Sequence, residues 1–286
     1  MGFPPILIQN TEVTVHRYLG THVAETLQDG RLRLSRPSAF NDPFELGHYF
    51  TGKYQEKTMS TDLRTCARYH LEKFGENHDS LVGLYGKAYA DLNPEDQFKK
   101  MESHLKKSDI SPEFSPLEIQ QMADKYFRII CFSKSSLPSK SEILLWSHYA
   151  NKHQGFRIEF LFDEQHLLET VRYQKKRIAI NLTKFEELGF GDGLKRAMIT
   201  KFDCWMYEGE KRRIVLLKEP LSRISRDGED YYWNFEPHEV KAVDIGARAQ
   251  DEVSKVKEIV ATKYPNSLLR QAYEHSQRFK LDYSPI

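Results

Sequence analysis

The sequence predicts an α+β fold: a mixed β-sheet interrupted by an inserted helical block. Three observations lead there. Short stretches that alternate polar and apolar residues recur near the start, in the middle and late in the chain, as half-buried strands do. Between them, from about residue 60 to 128, the apolar spacing changes to the three-and-four pattern of helices. No repeat, low-complexity tract or linker divides the 286 residues. The chain therefore reads as one domain, 1–286, with the helical insertion at about 60–128 and a helical and edge segment at about 247–286.

Thr14–Leu19 is rich in β-branched and aromatic residues and reads as the first strand. Gly20–Leu27 reads as a short helix closed by Asp29 and Gly30, and Arg31–Ser35 alternates as the next strand. Arg36-Pro37-Ser38-Ala39-Phe40-Asn41-Asp42-Pro43-Phe44-Glu45 carries two prolines and turn-forming residues, so it is an ordered loop. Its two phenylalanines suggest a loop packed down on the body. Leu63, Ala67, Leu71 and Phe74 follow helical spacing. Asn93-Pro94 marks a helix start, and Ser115 with Glu118 fits a capping box. Arg128–Ser133 reads as a buried strand, Ser141–Ala150 as a helix and Gly155–Phe160 as an alternating strand. Asp163–Thr170 follows as a short helix, then a strand at Val171–Tyr173 and a helix at Asp192–Thr200. Trp205–Leu217 reads as a long strand, Glu239–Gly246 as another, Ala247–Lys263 as a helix, and Arg278–Tyr283 as an edge strand.

A net charge of +1 gives no global argument for nucleic acid or an acidic membrane as partner. Three separated cysteines with no C-x-x-C argue against a thiolate zinc site and suit a reducing compartment. No apolar run approaches membrane-spanning length, and the N-terminus lacks a signal-peptide pattern. The expectation is a soluble, cytoplasmic protein with no membrane partner. There is no G-x-G-x-x-G, Walker loop, G-x-S-x-G elbow or H-E-x-x-H.

The candidate chemistry centres on Glu208 and Glu210. In a strand, residues i and i+2 share a face, so the two carboxylates stand side by side, and like charges that close raise the pKa of at least one. Three other segments mix rings with ionisable or hydroxyl groups: His16-Arg17-Tyr18, the Arg36–Glu45 loop, and Trp146-Ser147-His148-Tyr149. Together they offer stacking surfaces, cations for phosphates and carboxylates for acid–base work, an inventory that suits a nucleotide.

Leu34–Glu45, Cys131-Phe132-Ser133, Leu145–Ala150 with Gly155-Phe156, and Trp205-x-Tyr207-Glu208-x-Glu210-x-Arg212 together resemble the signature of the domain-of-unknown-function 2971 family of bacteria and phages. The match runs from about Thr14 to Gly246. More distantly, a first-strand His or Arg, a middle Ser or aromatic motif and a late-strand Glu resemble the ADP-ribosyltransferase superfamily. That resemblance implies a split sheet with NAD bound in its cleft. Glu210 would be the catalytic carboxylate and Glu208 would position the acceptor. Arg17, His16, Arg36, Phe40, Asn41, Asp42, Ser133, His148 and Tyr149 would be the NAD-binding set, only one of His16 and Arg17 entering the cleft. It also implies a macromolecular acceptor, transfer or NAD hydrolysis in a toxin or defence setting, and an antitoxin or regulator as partner. The chain departs from the superfamily in having no His-Gly-Thr, only Ser133-Lys134-Ser135 in place of Ser-Thr-Ser, and a long insertion.

Two other readings stay open. Asp42, Glu45, Glu208 and Glu210 could chelate magnesium, with Lys201 or Lys211 assisting, in a nuclease or phosphodiesterase. Alternatively the Glu pair is salt-bridged to Arg212, Arg213 or Arg36, and the protein is a non-enzymatic nucleotide-binding module.

Overall fold

Strand β1 (Glu12–Leu19) lies near the centre of an eight-stranded mixed sheet whose order is β15-β14-β13-β5-β1-β4-β10-β6. The computed structural model describes residues 12–42, 44–45, 49–51, 96, 99, 116–163, 168–177, 179–181, 195–217 and 223–286. Within them the protein is α+β, with a large mixed sheet and few helices. The neighbours of β1 are β5 (Phe156–Asp163), paired along its whole length, and β4 (Phe127–Lys134), paired only at Val15↔Lys134 and His16↔Ser133. The two strands then part. β10 (Glu210–Leu216) pairs with β4 throughout, and β6 (Glu169–Thr170) forms that edge. On the other side of β5 lie β13 (Val240–Ile245), β14 (Leu268–Glu274) and β15 (Leu281–Pro285). The β13–β14 pair is parallel and therefore needs a crossover, supplied by α4 (Val253–Lys263).

The chain packs as two compact units, Met1–Glu45 with Met122–Lys176 and Met198–Ile286, and Leu46–Gln121 with Arg177–Ala197. In the second, β3 (Tyr49–Thr51) and β8 (Ala179–Asn181) pair in parallel. The helical spacing at Leu63–Phe74 and the start signals at Asn93-Pro94 and Ser115 lie outside the described residues. α2 (Pro116–Tyr126) is helical, but Phe127 and Arg128 already belong to β4.

Alternation explains the core of the first unit. Phe132, Phe160 and Phe162 emerge on one face of the sheet and meet Trp233 there. Their ring centroids are 6.0 Å (Phe132–Phe160), 5.6 Å (Phe132–Phe162) and 5.0 Å (Phe162–Trp233) apart, distances at which aromatic pairs attract beyond their area burial. Trp233 sits on β12 (Asp230–Asn234), the middle strand of a separate three-stranded sheet with β11 (Ile224–Asp227) and β2 (Arg31–Leu34). α1 (Val23–Asp29) and α4 close this core with Leu27, Val256 and Val260. The Glu252 carboxylate accepts the N–H groups of His22 at 3.0 Å and Ala24 at 2.8 Å, a cap for α1 supplied from 228 residues away.

Several sequence expectations are corrected. Arg31–Leu34 forms a strand, but of the small sheet. Asp163–Thr170 is no helix: Asp163 ends β5 and Glu169–Thr170 is a strand. Thr200 opens β9 (Thr200–Phe202), paired with β7 (Arg172–Gln174), and only 195–198 before it are helical. Asp203–Glu208 is a 3-10 turn, and the strand begins at Glu210. Gly209 makes the break, at φ 51° with Leu137 Cδ2 only 2.7 Å from where a Cβ would lie. Strands β11, β12 and β14 were not foreseen. No helix among the described residues is long and apolar enough to cross a membrane.

Phe132, 2 % exposed, touches both packed layers. Phe132→Ala is expected to cost about 3–5 kcal/mol, read as a lower urea midpoint with an unchanged slope.

Candidate functional site

The opposite face of the large sheet carries a polar row beside a second apolar cluster, in which Tyr18, Ala272 and Leu281 meet Leu145, Trp146 and Ala150. Direct cross-strand partners share a face, and His16 on β1, Ser133 on β4 and Glu210 on β10 form one such row through the pairings His16↔Ser133 and Glu210↔Ser133. Where β1 and β4 part beyond this row, a pocket of about 440 Å³ opens. Arg17 reaches across the gap and donates to the Cys131 carbonyl at 2.7 Å. Both His16 and Arg17 therefore line the pocket, contrary to the expectation that only one could. α3 (Ser139–Tyr149) brings Tyr149, the loop after β2 brings Phe40, Asn41 and Glu45, and the turn before β10 brings Glu208.

Of the residues predicted from sequence, Glu208, Glu210, His16, Arg17, Phe40, Asn41, Ser133 and Tyr149 converge on this pocket. Arg36, Asp42 and His148 are not among its lining residues. The Arg36 guanidinium lies 3.7 Å from Glu229, half exposed. Asp42 is buried and accepts the Phe44 N–H at 2.9 Å, an Asx turn that shapes its own loop. His148 meets the Tyr207 hydroxyl at 3.0 Å, exposed.

Sequence reading underrated the cations beneath the carboxylates. Arg212, 1 % exposed, donates through Nε to Glu210 Oε1 at 2.8 Å and through Nη2 to Glu210 Oε2 at 2.9 Å. It also bonds Glu45 and the Met198 carbonyl and lies over the Phe40 ring. Lys201 donates to Glu208 at 2.7 Å and Glu210 at 3.3 Å, with Glu45 at 3.5 Å. The i, i+2, i+4 spacing of Glu208, Glu210 and Arg212 was the available signal for Arg212. For Lys201 the signal was only a lysine within a short apolar stretch. Arg213 points to the other face and stacks on Trp233 at 5.2 Å.

Glu208 and Glu210 are neighbours through this shared lysine, despite standing on a turn and a strand. Their environments push their proton affinities apart. Burial raises Glu208, and this outweighs Lys201 and the Tyr149 hydroxyl, which donates to it at 2.5 Å. Burial also opposes charge on Glu210, but Arg212 and Lys201 prevail and hold it down at about 2. Three carboxylates, Glu45, Glu208 and Glu210, face two cations, so one negative charge is in surplus while Glu208 is ionised. Two buried atoms of lining residues, Arg17 Nε and Glu45 Oε2, have no hydrogen-bond partner among the described residues. Such atoms cost about 1–3 kcal/mol until satisfied.

Comparison with protein-family models, curated proteins and solved structures finds no match to this chain. The site is therefore argued from its own geometry. The three clustered carboxylates surround the Lys201 ammonium, and among the described residues no group of three or more His, Cys, Asp or Glu is arranged to hold a metal ion.

The opposed shifts predict opposite effects on stability. Glu210 contributes stability that is complete above its ordinary value of 4.5 and is lost as pH falls toward about 2. Glu210→Gln should therefore destabilise at pH 7 and flatten acid unfolding below 4.5. Glu208 binds its proton more tightly when folded, so stability falls as pH rises past 4.5. Glu208→Gln, which keeps a hydrogen-bonding shape without the surplus charge, should raise the melting temperature at pH 7. Thermal unfolding between pH 3 and 8 checks both signs.

Proposed function

We propose that this chain is an NAD-dependent, ADP-ribosyltransferase-like enzyme of the domain-of-unknown-function 2971 family, cleaving the nicotinamide–ribose bond. ADP-ribose would pass to a macromolecule, or to water in an NAD glycohydrolase. The observation that carries the reading is the carboxylate pair with divided proton affinities at the point where the central sheet parts, beside an arginine and several rings. That division is how one site holds a permanent anion and a proton acceptor together.

The chemistry sets distinct tasks. Breaking an N-glycosidic bond develops positive charge on the sugar, as in glycoside cleavage. Glu210, ionised at any physiological pH, supplies the fixed negative charge, and Lys201 and Arg212 hold it in place. Glu208, which binds a proton more readily, orients the acceptor and takes its proton. Tyr149 steadies Glu208 through its hydroxyl and offers a ring to the pocket. Arg17, with an unpartnered Nε, suits the pyrophosphate. Ser133 and Asn41 add hydrogen-bonding groups. An antitoxin or regulator would act by covering this pocket in a toxin or defence setting.

One observation favours a second reading. Both oxygens of Glu210 already accept from Arg212, and Lys201 adds another bond, as in a binding module whose ion pairs hold the fold. The magnesium reading draws less support, because Lys201 stands where the metal would and Asp42 faces its own loop.

Pure protein incubated with NAD should release nicotinamide. Glu210→Gln should abolish turnover and leave NAD binding, Glu208→Gln should impair transfer more than hydrolysis, and Arg17→Ala should mainly weaken binding, by about 1.5–3 kcal/mol. Full turnover in Glu210→Gln would remove it as the catalytic carboxylate. Melting shifts in all three without a selective loss of turnover would favour the binding module.

A further inference from the structure

The pocket face of the large sheet carries a second set of charges that the proposed chemistry does not use. Glu159 on β5 stands directly across from His16, and its Oε2 lies 3.3 Å from His16 Nε2. The same oxygen accepts from Arg270 Nη2 on β14 at 3.1 Å. Arg270 also donates to Asp244 on β13, through Nη2 at 3.0 Å. Asp244 is fully buried and takes Arg157 Nε at 2.7 Å. Arg157 reaches Glu142 on α3 at 2.5 Å, and the Tyr283 hydroxyl on β15 donates to Glu142 at 2.6 Å. A ladder of charges thus runs from the pocket wall to the C-terminal strands, beyond the Thr14–Gly246 stretch that carries the family resemblance.

The ladder holds two arginines, Arg157 and Arg270, and three carboxylates, Glu142, Glu159 and Asp244. One negative charge is in surplus, and a proton on His16 would balance it. Buried ion pairs bring little net stability over apolar packing, so stability alone accounts poorly for five charged groups here. They do fix geometry. Glu159 gives the imidazole a defined partner, and a histidine backed by a carboxylate has a set orientation and a raised readiness to hold a proton. Burial opposes that proton and outweighs Glu159. Arg157 opposes it too, Asp244 favours it, and the Ser133 hydroxyl bonds the His16 carbonyl at 3.5 Å. Arg17 is the adjoining cation in the chain, and the Tyr18 ring stands edge-on at 6.5 Å.

We propose that Glu159 and Arg270 are positioning residues for the pocket: acting through His16, they set its orientation and charge, so that strands β14 and β15 belong to the functional site. The proposal rests on the reading of the pocket as a nucleotide site for its consequence. A phosphate-bearing ligand entering beside Arg17 takes up a proton from solvent onto His16 Nε2 or Nδ1, and the imidazolium becomes its second cation.

The test follows the His16 ring by NMR in full-length protein with labelled histidine, its signal assigned by His16→Gln. Arg270→Gln removes a cation beside Glu159 and should raise the His16 midpoint by roughly half a pH unit or more. Glu159→Gln removes the anion and should lower it, and Arg270→Lys should restore the wild-type value. Midpoints that stay put, or that move in one direction in both variants, overturn the proposal and leave the ladder a purely structural lattice. Should Arg270→Gln not fold, Glu159→Gln and Arg270→Lys decide alone, the first lowering the midpoint and the second leaving it. A calorimetric titration with ADP-ribose in two buffers of different ionisation heat should show proton uptake, lost in His16→Gln. Failure to bind ADP-ribose with the opposed midpoint shifts intact would remove the NAD-type reading and still support the positioning role.

Discussion

Arg212 ties the pocket together. A guanidinium has five N–H donors in a rigid plane, and this one uses them on three stretches of chain: Glu210 on its own strand, Glu45 from the loop after β2, and the Met198 carbonyl before β9. Its flat face covers Phe40. Loop, turn and strand are thus held in one geometry by a single buried cation. Lysine, a point charge on a flexible stem, could not make that bidentate contact and stack at once.

That cation also explains how three carboxylates share a small space. Burial disfavours each charge, and like charges disfavour each other. Arg212 and Lys201 relieve Glu210 almost completely and leave the residual charge on Glu208. The result is an asymmetric pair: Arg212 and Lys201 favour the charged form of Glu210, while burial favours the neutral form of Glu208.

The large sheet keeps its two duties on separate faces. Phe132, Phe160 and Phe162 face the helices and the small sheet and build a dry core. Cys131, Ser133, Glu159 and Glu210, offset by one residue, face the pocket and its charge ladder. Strand alternation makes this possible. The parting of β1 from β4 supplies the opening, and Arg17 bridges it through the Cys131 carbonyl.

Much of this was legible from local pattern. Alternation located β1, β2, β4, β5, β10 and β13, because strand period is a property of consecutive residues. The clusters of rings and charges singled out the pocket-lining residues His16, Arg17, Phe40, Tyr149, Glu208 and Glu210, while Ser133 entered only through the resemblance. The boundary at Gly209 was missed, since a left-handed glycine inside an otherwise strand-like string leaves no periodic trace. Arg36, Asp42 and His148 were drawn in by their neighbours, yet each spends its polar group elsewhere. Which side of a loop or helix faces a pocket depends on packing, not on spacing. The sequence by itself determined β1, β2, β4, β5, β10 and β13 and the types of group the pocket contains. Only the tertiary structure decided that Lys201 and Arg212 lie beneath the carboxylates, that Glu252 caps a helix 228 residues away in the chain, and that Arg270 stands behind His16. Those are contacts between distant segments, and they are set by sheet order and register, which local periodicity does not encode.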